Sequence, residues 1–99
     1  MLTVQVKKCD IYRGREYANT TCGCPIWRAL RRTLNSLGEF TDLDKNLKVP
    51  HVYEARMPGW VIDLPDEAQD FQLALMKDVS AEVEPFEFEA DVKLARRRK

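Results

Sequence analysis

The stretch TTCGCPIWRALRRTL, residues 20–34, joins a short cysteine-bearing loop to an amphipathic helix. Pro25 suits the first helical position, where its missing N–H costs nothing, and Cys24 is therefore the predicted N-cap. Apolar residues then recur at steps of three or four, which is typical of a helix with one face on a core. These residues are Ile26, Leu30, Leu34 and Leu37. The pattern predicts a helix over residues 25–37 that ends at Gly38.

Three arginines, Arg28, Arg31 and Arg32, fall on the other side of this helix and give it a basic outer face. The whole chain also separates its charges, although its formal net charge is zero. The first fifty residues hold nine basic and five acidic side chains, whereas the remainder hold seven and eleven. This asymmetry indicates two surfaces with different partners, or a homo-oligomer that joins opposite charged faces. The alternative is that these are solvated faces with no special role.

Length and composition predict one soluble globular domain. The chain has 99 residues, of which 44% are hydrophobic and 32% charged, enough for a modest core without disulfides. No apolar run is long enough to span a bilayer, and no signal peptide is evident at the start. Three cysteines, an odd number, argue against a secreted disulfide framework. We expect a cytoplasmic protein with a domain over residues 1–92 and a basic tail over residues 93–99.

The first half of the chain predicts a strand and two helical segments. Alternating apolar residues predict a strand over residues 2–6, and residues 7–13 suit a short helical turn closed by Gly14. The main helix follows over residues 25–37. Residues 39–46 are a mostly acidic connection.

The second half predicts two strands, a helix and a last strand. One strand covers residues 47–56, at a sheet edge or bulged because Pro50 lacks a donor. A type II turn at residues 57–60 leads into a strand over residues 60–64. Asp66 and Gln69 suit a capping box for the second helix, whose predicted buried stripe is Ala68, Phe71, Leu75 and Val79, widened by Leu73 and Met76. Residues 86–92 alternate as a strand with one wet face.

The resulting order β–α–β–β–α–β predicts an α+β fold. It matches the ferredoxin-like arrangement, an antiparallel sheet with two helices on one face. Another small α+β sheet built from the same elements is the alternative.

The three cysteines suggest a metal site or a reactive thiol, and neither is favoured. Cys9, Cys22, Cys24 and His51 could supply four zinc ligands, but their spacing lacks the usual close pairs. Cys24 at a helix start would have its thiolate favoured by the helix dipole. A nucleophile would still need a base, and His51 is the one histidine. The favoured interpretation is small structural side chains, with no metal and no cofactor.

The start of the main helix is better suited to anions. Unpaired N–H groups, a glycine that permits close approach and several nearby arginines would bind phosphate, and Trp27 or Tyr12 could stack on a base. The predicted anion-binding or nucleic-acid-binding residues are Arg13, Arg15, Cys24, Trp27, Arg28, Arg31 and Arg32. No RNA-binding or P-loop motif accompanies them.

The acids near the end of the chain form a second candidate surface. Alternation alone explains them as a solvated sheet face, and the functional alternative is docking onto a basic partner. The predicted partner-binding residues are Glu84, Glu87, Glu89 and Asp91.

Two segments carry a family resemblance. CPIWRALR at residues 24–31, and LPDEAQDF at 64–71 followed by Asp78 and VEPFEF at 83–88, resemble small proteins of bacteriophage and prophage genomes. That group has a CP(V/I)xxALR helix start and an LPxxAxxF…D…VxPFxF run. Trp27 and Arg28 replace the small apolar residues usual there. The resemblance implies a phage-encoded accessory protein in the host cytoplasm.

Together these features predict a binding protein rather than an enzyme. The leading hypothesis is a protein inhibitor of a host defence or host enzyme. A nucleotide- or nucleic-acid-binding protein is the alternative, and a cysteine enzyme or zinc protein is the weaker one. No membrane partner is expected.

Overall fold

A computed structural model of the protein describes residues 2–20, 22–37 and 47–94. The predicted stop at Gly38, the connection over residues 39–46 and the tail beyond residue 94 lie outside these ranges. Five strands form one antiparallel sheet: β1 Leu2–Val6, β2 Lys48–His51, β3 Glu54–Met57, β4 Trp60–Asp63 and β5 Phe86–Leu94. Three α-helices accompany it: α1 Lys8–Gly14, α2 Pro25–Leu37 and α3 Asp66–Lys77. The predicted α+β class is confirmed.

The strand order is β1-β5-β4-β3-β2, so the ferredoxin-like order is not confirmed. A split βαβ unit would separate the strands on either side of a helix by another strand. Here β4 and β5, which α3 connects, are antiparallel neighbours, and β1 lies at the edge of the sheet. The arrangement is the alternative α+β sheet.

The prediction of one strand over residues 47–56 is wrong, because the chain reverses at residues 52–53. His51 pairs with Glu54, so β2 and β3 form a tight hairpin. The predicted position of Pro50 is confirmed, since β2 is an edge strand and its register shifts between Lys48 and His51. The next turn also follows the prediction, with Gly59 at a positive φ of 80°.

One face of the sheet is buried and the other is wet. Along β1 and β5 the inner residues pair with each other, as Val4 does with Phe88 and Leu2 with Ala90. These residues join one continuous core with the buried stripes of α2 and α3. The alternation predicted for β5 is thus confirmed, and the strand extends through Lys93 and Leu94, two residues beyond the predicted domain end.

α2 has the predicted bounds, with Ile26, Leu30 and Leu34 fully buried. Its predicted fourth core residue, Leu37, is the last residue of the helix and is instead 49% exposed. This helix fixes the backbone positions of Arg28, Arg31 and Arg32.

α3 departs from its predicted cap and stripe. Pro65 is its N-cap, and the Gln69 amide donates to the Leu64 carbonyl rather than completing a capping box. Ala68, Phe71 and Leu75 are buried as predicted. Three further predicted core residues are exposed instead, namely Leu73, Met76 and Val79. Gln72 is buried instead, and its side-chain amide donates a hydrogen bond to the Ala18 carbonyl at 2.6 Å.

Candidate nucleic-acid interface

α1 lies against the start of α2, and Gly14 makes this possible. A Cβ atom at Gly14 would lie 2.6 Å from the Pro25 nitrogen and 2.8 Å from the Cys24 carbonyl carbon. Real side chains do not tolerate such contacts with backbone. The glycine therefore sets the close spacing of α1 and α2, and with it the shape of the surface between them.

A bidentate ion pair holds the same two helices together. The Arg32 guanidinium donates from Nη1 to Asp10 Oδ1 and from Nη2 to Asp10 Oδ2, both at 2.7 Å. Asp10 is buried and also accepts from the Lys7 backbone N–H at 2.8 Å, which caps α1. The hydrogen bonds that Asp10 accepts from the guanidinium raise the pKa of Arg32. The structure therefore assigns Arg32 a structural partner, which does not support its predicted role as an anion ligand.

Cys24 is closed to solvent. Its sulfur accepts from the Trp27 backbone N–H at 3.4 Å, so it caps α2 as predicted. Burial raises the pKa of the thiol to about 11, because a charged sulfur would lose its hydration there. The predicted activation of this thiolate is wrong. Since Cys24, Pro25 and Ile26 are all buried, the structure does not support an anion site at this helix N-terminus either.

The basic residues of α2 instead line a groove beside α1. Arg13, Arg28 and Arg31 lie along this groove, which we call the central groove and which has a volume of about 330 Å³. The Nε atom of Arg28 is buried and has no hydrogen-bond partner among the described residues. A buried donor without an acceptor is costly, and the arginine side chains that line the groove suit a ligand with oxygen acceptors.

Trp27 forms one wall of the central groove and is held in place. Its indole N–H donates to the Leu47 carbonyl at 2.6 Å. The Arg31 guanidinium lies 5.3 Å from the centre of the Trp27 ring, a cation–π distance. The structure therefore brings together Trp27 and Arg31, two of the predicted anion-binding residues.

Two further grooves adjoin the central groove at Arg13. The larger, which we call the tyrosine groove, has a volume of about 800 Å³ and is lined in part by Lys8, Tyr12, Arg13 and Arg15. The other has a volume of about 500 Å³ and runs from Tyr12 and Tyr17 to Arg28. Tyr12 is 80% exposed. Six cations line these connected grooves. The five other than Arg32, which pairs with Asp10, form what we call the basic surface: Lys8, Arg13, Arg15, Arg28 and Arg31.

Lys8 and Tyr17 also line these grooves, although neither is among the predicted anion-binding residues. Lys8, Tyr12 and Arg15 follow one another at steps of four and three, which places them on one helical face. The interleaved basic and aromatic residues of the segment 8–17 were the available signal. The predicted helical turn closes at Gly14, so it did not place Arg15 and Tyr17 beside Tyr12.

The predicted acidic surface divides into two parts. Glu87, Glu89 and Asp91 lie on the exposed face of β5, and Glu87 lies near the start of α1, where it lines a groove with Lys7 and Lys8. Asp91 there lies opposite Asp63, which pairs with Lys93 at 2.7 Å. Glu84 is separate from them, because it lines the tyrosine groove opposite the cations of α1. The four acids do not form one docking site.

The cysteines and the histidine do not converge. Cys9 and Cys22 are exposed, Cys24 is buried, and His51 stacks on Tyr53 with ring centres 4.9 Å apart. Within residues 2–20, 22–37 and 47–94, no three His, Cys, Asp or Glu side chains are grouped so that they could hold a metal ion.

Comparisons with known proteins assign no function to this chain. No protein-family model, curated protein or solved structure matches this chain. Of the helices in the described part of the chain, none has the length and apolar character needed to cross a bilayer.

Proposed function

We propose that this protein binds nucleic acid through its basic surface and is not an enzyme. The observation that carries the proposal is the central groove, where Arg13, Arg28 and Arg31 line one concave surface beside Trp27. Phosphate oxygens are strong acceptors for guanidinium groups, and a chain of phosphates matches a row of cations.

The neutral net charge of the chain is compatible with this proposal. Five of the acids, at Glu54, Asp63, Glu87, Glu89 and Asp91, lie on the outer face of the sheet, whereas α1 and α2 carry most of the basic surface. Electrostatic attraction depends on the local field at the groove rather than on the total charge. Asp10, the buried acid within the groove wall, is already paired with Arg32.

A polyanion-binding assay with charge-matched variants tests the proposal. Fluorescence anisotropy with a labelled oligonucleotide is expected to show binding that an Arg13→Ala/Arg31→Ala variant loses by about tenfold or more, since each lost phosphate contact weakens binding. The control is Lys48→Ala/Lys77→Ala, which removes two exposed cations outside the grooves. No binding by the wild-type chain at low salt, or equal losses in both variants, would overturn the proposal.

A protein inhibitor is the second candidate function, and one observation favours it. Glu54, Asp63 and Asp91 lie in register across β3, β4 and β5, beside Glu87 and Glu89 on the same face. This broad acidic surface suits a partner with basic side chains. A protein retained from nuclease-treated host lysate by the wild type, and lost by Glu87→Lys/Glu89→Lys, would support this candidate. The phage-type accessory role and the cytoplasmic location stay predictions.

A further inference from the structure

We infer that the nucleic acid bound by the basic surface is single-stranded, with an unpaired base stacked on Tyr12. This inference rests on the proposed function and makes it more specific. It depends on a feature that phosphate binding alone does not explain, namely an aromatic ring held almost entirely in solvent among cations.

Tyr12 is the most exposed of the large hydrophobic side chains in the described part of the chain, with 80% of its surface accessible. It lies on α1, a helix fixed by the Asp10–Arg32 pair and by close packing at Gly14. Its backbone position is therefore set by the fold. An exposed ring of this kind offers a flat face to a base, which stacks on it whatever its sequence.

The cations are arranged around this ring. Lys8 precedes Tyr12 by one helical turn, Arg13 follows it directly, and Arg15 lies on the same side; all three line the tyrosine groove with it. The Arg15 guanidinium donates to the Val79 carbonyl at 3.3 Å, which fixes its position at the groove wall. Phosphates on either side of a stacked base would therefore meet cations, as in other single-strand sites.

The connection between grooves favours a strand over a mononucleotide. Tyr12, Arg13 and Arg15 line both the tyrosine groove and the groove that ends at Arg28, and Arg28 in turn lines the central groove. A flexible strand can follow this path from Tyr12 to Arg31. A duplex keeps its bases paired and stacked internally, so it cannot offer a base face to Tyr12.

Two acids face the same grooves and weaken the attraction. Glu84 lines the tyrosine groove and Glu16 lines the groove toward Arg28. Cations still outnumber acids around Tyr12, where Lys8, Arg13 and Arg15 oppose these two carboxylates.

The test compares three probes on the full chain: a single-stranded oligonucleotide of roughly 12 nucleotides, the matching duplex, and inorganic polyphosphate. We expect the single strand to bind more tightly than the duplex. Tyr12→Ala should weaken single-strand binding by about 5- to 100-fold and leave polyphosphate binding unchanged, because it removes a stacking surface without removing charge. Tyr12→Phe should retain the affinity.

Tyr53→Ala is the matched control, because it truncates another exposed tyrosine outside these grooves. A 2-aminopurine base in the strand should change fluorescence on binding the wild type and not on binding Tyr12→Ala. If Tyr12→Ala binds the single strand like wild type, or if the duplex binds equally well, the inference is wrong while the proposed function stands. If the wild type binds none of the three probes, both are wrong.

Discussion

A buried thiol forms the cap of the central helix. The Cys24 sulfur accepts the Trp27 backbone N–H, a role that Ser or Asp more often fills. A hydroxyl or carboxylate would be costly in this site, because Cys24 has no exposed surface. A thiol suits this site because its sulfur accepts a weak hydrogen bond and the side chain still packs as a small apolar group.

Burial of Cys24 makes stability fall at high pH. The folded pKa of about 11 lies above the ordinary value of 9.0, so the folded state holds the proton more tightly. This stabilising contribution is fully present below pH 9. It is lost as the pH rises toward about 11, because the unfolded chain releases the thiol proton at a lower pH than the folded chain does. At a pH of about 10.5 the wild type should lose roughly 2 kcal/mol of unfolding free energy from this group.

Urea titrations at several pH values measure this loss. Cys24→Ala is expected to be less stable at neutral pH, because it leaves a cavity, and to decline less steeply above pH 9. Cys22→Ala, at an exposed position, should follow the wild type. A decline in Cys24→Ala as steep as that of the wild type would contradict the assignment.

At the scale of elements, the packing of α1 on the start of α2 determines the basic surface. Gly14→Ala should force the helix away from the loop, because the new Cβ would meet backbone atoms that cannot rotate aside. We expect a loss of about 2 kcal/mol or more, as for other overpacked sites, and a Tm lowered by about 10 °C. Nucleic-acid affinity should fall with it, since Arg13 and Arg28 would separate.

Gly59→Ala is the control for this variant. Nothing lies within 4 Å of a Cβ there, although φ is positive at 80°. Its cost should therefore be confined to backbone strain of about 1 kcal/mol, without loss of binding. Thermal unfolding followed by circular dichroism compares the two variants. Equal Tm values for Gly14→Ala and wild type would show that the helices are not packed this closely.

Elements with a strong local signal were predictable from the sequence. α2 has both a proline start and a helical apolar period, and its predicted bounds agree with the structure. The β2–β3 hairpin was missed because its turn uses Val52 and Tyr53, which have no turn propensity and look like strand residues. The sheet order was not predictable, since it depends on long-range pairing rather than on local pattern.

Most residues of the site were predictable from the sequence, but the contacts that they make were not. Six of the seven predicted anion-binding residues line the grooves, at Arg13, Arg15, Trp27, Arg28, Arg31 and Arg32. The pairing of Arg32 with Asp10 joins residues 22 positions apart, and no spacing rule predicts such a contact. Burial of Cys24 depends likewise on α1 packing over the loop.

At the scale of the molecule, the sheet acids Glu89 and Asp91 and the basic surface lie on opposite sides of a body whose shortest axis is 21 Å. A helix layer of about 10 Å separates them, which exceeds the Debye length of about 8 Å at physiological salt. At about 10 mM salt the Debye length is about 30 Å, so the acids then act across the whole molecule.

Neutralising the sheet face should therefore matter only at low salt. We expect Glu89→Gln/Asp91→Asn to bind a single strand several-fold more tightly than wild type at about 10 mM salt and equally well at about 150 mM. Glu84→Gln, inside the tyrosine groove, should raise affinity at both concentrations, because its distance to bound phosphate is within the screening length. Anisotropy titrations across this salt range measure both effects. A gain by the double variant at about 150 mM would mean that nucleic acid contacts the sheet, and no gain by Glu84→Gln would place the strand outside the tyrosine groove.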